Sequence, residues 1–288
     1  MRLGDEDPSG NFIDRTGRSG LGLGGGGGNM LGCLLPLVAS RFGMVGVLVL
    51  LLGYCALTQL GGGGGLLPGG APTMTAPSGQ STLDPNLRDV MTRVLGSTER
   101  RWTEIFSRKG MTYTPTTMVA YTDYDQSGCG AAQAAMGPFY CPTDKRIYVD
   151  PAFFNELSQR FGAPGDFAIA YVIAHEVGHH VQDLLGTLDQ ASAAQARASR
   201  TEGNRIQVGI ELQADCFAGV WAANDKNLME PGDFEEGMRA AEAIGDDTLQ
   251  KQAQGRAVPE TFTHGTSAQR MAALRTGLES GDPAACKF

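Results

Sequence analysis

Two histidines four residues apart, with a glutamate between them, lie inside an apolar segment at 167–185, and no other feature restricts the chain so much: His175-Glu176-Val177-Gly178-His179. Ile173, Val177, Val181, Leu184 and Leu185 recur at helical spacing, so the segment predicts a helix with one face buried. Positions four apart share a helix face, and His175 and His179 can therefore direct two imidazoles at one cation. Glu176 is offset by one step. Its carboxylate reaches water held by the ion instead of the ion itself, the arrangement a zinc hydrolase needs to make hydroxide at neutral pH. His180 points away from that face and is read as a packing or surface residue.

A third ligand is expected from a second apolar-periodic segment, 205–224, which contains Glu211-Leu212-Gln213-Ala214-Asp215. Glu211 and Asp215 also share a face. A shell of His175, His179 and Glu211 leaves a fourth position open, as a catalytic zinc requires and a structural zinc does not. Asp215, one turn on, is placed to accept the other ring N–H of a ligand histidine and fix its tautomer.

H-E-x-x-H followed by E-L-Q-A-D resembles the gluzincin metallopeptidases, especially membrane-associated members whose third ligand lies in a similar E-x-x-A-D helix. A wider set, GPFYCP at 137–142, YVD at 148–150, HEVGHHVQ at 175–182, ELQADCFAGVWA at 211–222 and HGTSAQR at 264–270, resembles the bacterial neutral zinc metallopeptidases. That likeness covers residues 83–288 and implies a mainly α (α+β), zincin-like domain with a small β element and one Zn2+ ion. In gluzincins with such a third-ligand helix, a T-H-P-x-x-x-x-R element brings a histidine and an arginine to the oxyanion. The similar stretch at 263–270 implies catalytic roles for His264 and Arg270, with Gly265 standing where the proline would be. A donor aimed at the developing oxyanion is expected in any such mechanism.

The N-terminal part reads differently. Residues 1–41 are polar and then Gly-rich, with an unbroken run at 24–28, and are read as a disordered cytoplasmic segment that lacks the apolar area to offset ordering entropy. Residues 42–60 carry no charge and as a helix would reach about 28 Å, against a hydrocarbon core of about 30 Å. Arg15, Arg18 and Arg41 precede this expected transmembrane helix, and no Lys or Arg follows before Arg88. The positive-inside rule then places the N-terminus in the cytoplasm and the remainder on the extracytoplasmic side of a cytoplasmic (inner) membrane. A Gly/Pro-rich linker at 61–82 would behave as a flexible coil.

Within 83–288, Asp84-Pro85 opens a helix that ends at Gly110 and is open to a break near Gly96. Residues 116–123 and 146–150 are β-branched and aromatic and read as strands; 146–150 is the candidate edge strand for pairing with an extended peptide. The acidic, helix-patterned residues 231–256 are read as a solvated face. Cys129, Cys141, Cys216 and Cys286 make an even set in a compartment where disulfides persist, with three possible connectivities. The family resemblance implies Cys129 with Cys141 and Cys216 with Cys286, each contributing roughly 2–4 kcal/mol.

The expected protein is a membrane-anchored zinc peptidase, tethered by a single N-terminal helix and acting on a peptide or protein. A zinc-binding but non-hydrolytic scaffold and a zinc amidase acting on cell-wall material are the rival readings. A net charge of −8 argues against nonspecific nucleic-acid binding.

Overall fold

The computed structural model describes residues 1–18, 80–225 and 227–288. In chain order the elements are β1 (Phe12–Asp14), α1 (Pro85–Arg108), β2 (Thr117–Ala120), β3 (Tyr124–Ser127), β4 (Gly130–Gln133), β5 (Phe139–Cys141), β6 (Arg146–Val149), α2 (Ala152–Gln159), α3 (Asp166–Leu184), α4 (Thr187–Gln195), α5 (Arg200–Asn224), α6 (Asp233–Ala243), α7 (Asp246–Gln254) and α8 (Ser267–Ser280). This is a mainly helical α+β arrangement with a small sheet. The expected membrane span at 42–60, most of the 61–82 linker, Cys33 and Cys55 lie outside the described residues. No helix among the described residues is long and apolar enough to cross a membrane.

Local chemistry sets the helix ends. Asp84 accepts hydrogen bonds from the backbone of Asn86 and Leu87 ahead of Pro85, and Ser199 accepts from Glu202 N, so both helices start where the sequence offers a cap. Thr266 and Gln269 form a reciprocal capping box at the start of α8. Helix α1 continues unbroken through Gly96, against the break the glycine suggested.

The sheet runs β1-β2-β6-β5, with β1, β2 and β6 parallel and β5 antiparallel to β6. Strand β6 therefore lies inside the sheet with a neighbour on each side, and the edge expected at 146–150 belongs instead to β5. Strands β3 and β4 form a separate antiparallel hairpin, which the Cys129–Cys141 disulfide ties to β5. Between the sheet and the helices lies a core that includes Trp102, Phe167, Ile147 and Trp221. Inside it the Trp221 indole donates to Ser97 Oγ at 2.9 Å, and Ser97 donates to Asp225 at 2.5 Å, so these three buried groups satisfy one another.

Residues 1–18 are not disordered. Strand β1 pairs with β2 from Phe12↔Met118 to Asp14↔Ala120, Leu3 enters the core, and the Met1 ammonium lies 3.1–3.2 Å from Asp166, Glu230 and Asp233. These backbone bonds and ion pairs supply what composition alone lacked. The acidic 231–256 region also departs from a purely solvated face, because Asp233 and Asp246 are buried as hydrogen-bond acceptors.

Helices α5 and α8 cross at glycines: a Cβ on Gly277 would stand 1.9 Å from the carbonyl oxygen of Cys216, and one on Gly219 would stand 2.3 Å from that of Leu274. Gly277→Ala should therefore force the helices apart and cost roughly 1–3 kcal/mol. The urea midpoint of the variant measures this, and an unchanged midpoint would contradict so close a crossing.

Candidate metal centre

Helix α3 carries His175, Glu176 and His179, and α5 carries Glu211 and Asp215. The two helices approach at Gly178, where a Cβ would stand 2.9 Å from the carbonyl oxygen of Ala214, so the glycine inside the first motif seats against the alanine inside the second. One ligand atom each from His175, His179 and Glu211 lies within 4.8 Å of the other two. His175 Nε2 is 3.2 Å from Glu211 Oε2, and His179 Nε2 is 3.6 Å from the same oxygen. The structure thus brings the three expected ligands together around one point.

Each ligand is held from behind. His175 Nδ1 is 2.8 Å from Asp215 Oδ1, which leaves Nε2 as the nitrogen facing Glu211. Nδ1 of His179 is 2.9 Å from Gln182 Oε1, and the Gln182 amide donates in turn to Ile210 O and Gln213 Oε1. Gln207 Nε2 donates to Glu211 Oε1 at 2.9 Å, leaving Oε2 for the centre. Gln182, Gln207 and Tyr171 were not foreseen, although they stand three or four residues from His179, Glu211 and His175, the separation at which helical side chains meet.

Asp215 is fully buried and receives four donors: Tyr171 Oη at 2.6 Å, His175 Nδ1, and Arg270 through Nε and Nη2, both at 2.9 Å. Burial opposes its charge, but Arg270 and then His175 hold its pKa down to about 2. Burial likewise opposes a charge on His175, yet Asp215 and Glu211 together raise its pKa to about 10. Against the same burial penalty, Glu211 is held well below the ordinary carboxylate range by His179 and His175, and His179 is raised by Glu211. The pocket is therefore strongly cation-seeking. Arg270, expected at the oxyanion, is 3% exposed at the cleft wall and donates to both carboxylate oxygens of Asp215 and to the carbonyl of Ile244.

Whether the residues present suit a metal is tested by Glu176. Its Oε2 is buried with no hydrogen-bond partner, beside two histidines and a carboxylate that converge on one point. A buried carboxylate oxygen left unpaired is costly unless something polar occupies the space it faces. The donor set, two imidazoles and one carboxylate, is one zinc accepts in catalytic sites. The residues fit the ion.

The centre opens into a cleft of about 470 Å³ lined by Glu176, His264 and the apolar side chains of Phe139, Phe153, Phe161 and Val172. His264 is half exposed there, on a loop gathered by Asp246, which accepts from the backbone N–H groups of Thr263, His264 and Gly265. Gly265 has φ +91°, a conformation closed to proline, which explains the departure from the T-H-P pattern. His180 is buried, with Nε2 2.6 Å from Thr114 O and Nδ1 3.0 Å from Tyr140 Oη, and it fastens α3 to β5 as a packing residue.

Residues 1–288 match the model of the family described as "Putative neutral zinc metallopeptidase". The chain is 42% identical over 292 aligned residues to the uncharacterized protein YpfJ of Escherichia coli strain K12, covering 99% of this chain and 98% of that one. It is 43% identical over 187 residues to the uncharacterized protein Rv2575 of Mycobacterium tuberculosis, covering 60% of this chain and 62% of the other. No solved structure matches.

Two outcomes follow for the Asp215 cluster. Asp215→Asn should weaken zinc binding by about 10–100-fold in chelator competition, because His175 loses its anionic partner. Arg270→Met should cost roughly 3–5 kcal/mol in denaturant unfolding by leaving a buried carboxylate uncompensated. A loss of turnover without any loss of stability would instead place Arg270 at the substrate.

Proposed function

We propose that this chain, which belongs over its whole length to the neutral zinc metallopeptidase family, is a zinc-dependent endopeptidase of zincin-like fold that hydrolyses extended, apolar peptide segments. The observation that carries this reading is the buried, unpaired Oε2 of Glu176 in the same cleft as the convergent His175, His179 and Glu211. A purely structural metal site has no use for such a base.

Zinc in this shell supplies Lewis acidity, polarising a carbonyl and lowering the pKa of water to about 7. Glu176 takes the proton of the attacking water and returns it to the leaving amine. Asp215 keeps His175 in one tautomer, and Gln182 does the same for His179. His264 lines the cleft with Nδ1 3.3 Å from Asp246 Oδ1, and it is the side chain assigned to donate to the oxyanion.

The substrate class comes from the walls. Strand β5 is the sheet edge beside the cleft, through Phe139 and Tyr140, and a peptide can add to it by backbone hydrogen bonds alone. Phe139, Phe153, Phe161 and Val172 favour large apolar side chains. Among the described charged groups that line the cleft, Glu211 and Arg270 are already engaged, which leaves only the catalytic Glu176 and the histidines of that described set to meet a free peptide terminus. Internal bonds are therefore favoured over terminal ones.

Zinc content and cleavage of an unfolded protein by the full chain test this reading. Glu176→Gln should keep zinc and lose hydrolysis by about 10²–10⁴-fold, as removal of a general base does. Full activity in that variant would end the mechanism. His264→Ala should lower kcat about 10²–10³-fold with zinc retained; loss of the metal instead would make His264 a ligand.

A further inference from the structure

The first eighteen residues occupy a surface shaped for them. Along α1, Ser9 N donates to Thr92 O at 2.9 Å, and Ser9 Oγ and Asn11 Nδ2 both donate to Glu99 Oε1, at 2.6 and 2.9 Å. A Cβ on Gly96 would stand 2.3 Å from the carbonyl oxygen of Asp7, so α1 carries a glycine where this segment crosses it. Beyond the crossing β1 joins the sheet in parallel with β2, and the ladder is extended by Met118 N to Asn11 O and by Arg15 N to Ala120 O.

The chain also leaves and returns at one place. Thr82 N donates to Thr16 Oγ1 at 3.1 Å, and Thr82 Oγ1 donates to Thr16 O at 3.0 Å. Ser81 Oγ lies 2.6 Å from Asp14 Oδ2, which also pairs with Arg88 at 2.9 Å. Residues 14–16 and 81–82 thus meet on one patch of the domain, and in sequence the charge-free residues 42–60 fall between them.

This bears on the orientation expected from the sequence, with residues 1–41 in the cytoplasm and 83–288 outside. A strand cannot hydrogen-bond its neighbour through about 30 Å of hydrocarbon. Arg15, one of the arginines behind the positive-inside reading, forms a 2.8 Å ion pair with Asp125 of the β3–β4 hairpin and is part of the folded domain.

We propose that the α1 and β2 surface is the docking site of the chain's own residues 1–18, and that these residues lie on the same face of any membrane as the metal centre. An arrangement with residues 1–18 in the cytoplasm and residues 83–288 outside is then excluded. The proposal does not depend on the peptidase reading, since none of its contacts involves the metal centre.

Single cysteines test it in the full chain in intact cells, with Cys33 and Cys55 changed to serine. One variant carries Gly10→Cys, at an exposed position where a Cβ meets nothing within 4 Å. The other carries Ala272→Cys, exposed on α8. With a membrane-impermeant maleimide, both are expected to behave alike: both label in intact cells, or both label only after permeabilisation. Labelling of one with full protection of the other would overturn the proposal. As a check on docking, Asp14→Cys with Ser81→Cys should cross-link on mild oxidation and hold the two halves together after cleavage at a protease site inserted at 61–65. Halves that separate without reductant would overturn it as well.

Discussion

A single buried carboxylate governs the geometry of this protein. Asp215 takes hydrogen bonds from α3 through Tyr171 and His175 and from α8 through Arg270, while sitting on α5 itself. A charge so deep is tolerated only when each acceptor site is filled, and filling them fixes three helices relative to one another. The orientation of His175 follows from that arrangement, and with it the position of Nε2 toward Glu211.

Backbone proximity makes the arrangement possible. Gly178 lets α3 approach α5 where the two metal-binding motifs face each other, and Gly219 with Gly277 lets α8 approach α5 from the other side. The Cys216–Cys286 disulfide adds a covalent tie one residue from Asp215, and Gln213 donates to Cys286 O next to it. Helix α5 is thereby clamped along both faces, which suits an element that must present Glu211 without play.

Much of the centre could be read from spacing because its ligands lie on two helices, where sequence separation fixes the face. His175, Glu176, His179, Glu211 and Asp215 were found that way, and the two disulfides came from the family likeness. Gln182, Gln207 and Tyr171 obey the same rule and were open to the same reading. The link between Asp246 and the His264 loop was not legible, since it depends on a turn closing across eighteen residues. Strand order escaped for a related reason: 146–150 has the composition of any half-buried strand, and only pairing on both sides reveals an interior one. Residues 1–18 were misjudged because the glycines that follow them set the composition of the whole stretch, whereas their order comes from partners at 81–125 and at 166–233.

The placement of Arg270 has a consequence for biosynthesis. Translation delivers α3 and α5 well before α8, so a nascent chain that has emerged only as far as residue 224 holds Asp215 without its guanidinium. Tyr171 and His175 alone leave Oδ2 of that carboxylate without a donor, and burying it so is unfavourable, so the α3–α5 pair has reason to stay loose on the ribosome. The cluster that orients His175 then closes only when the C-terminal helix arrives, so the candidate metal centre is completed last.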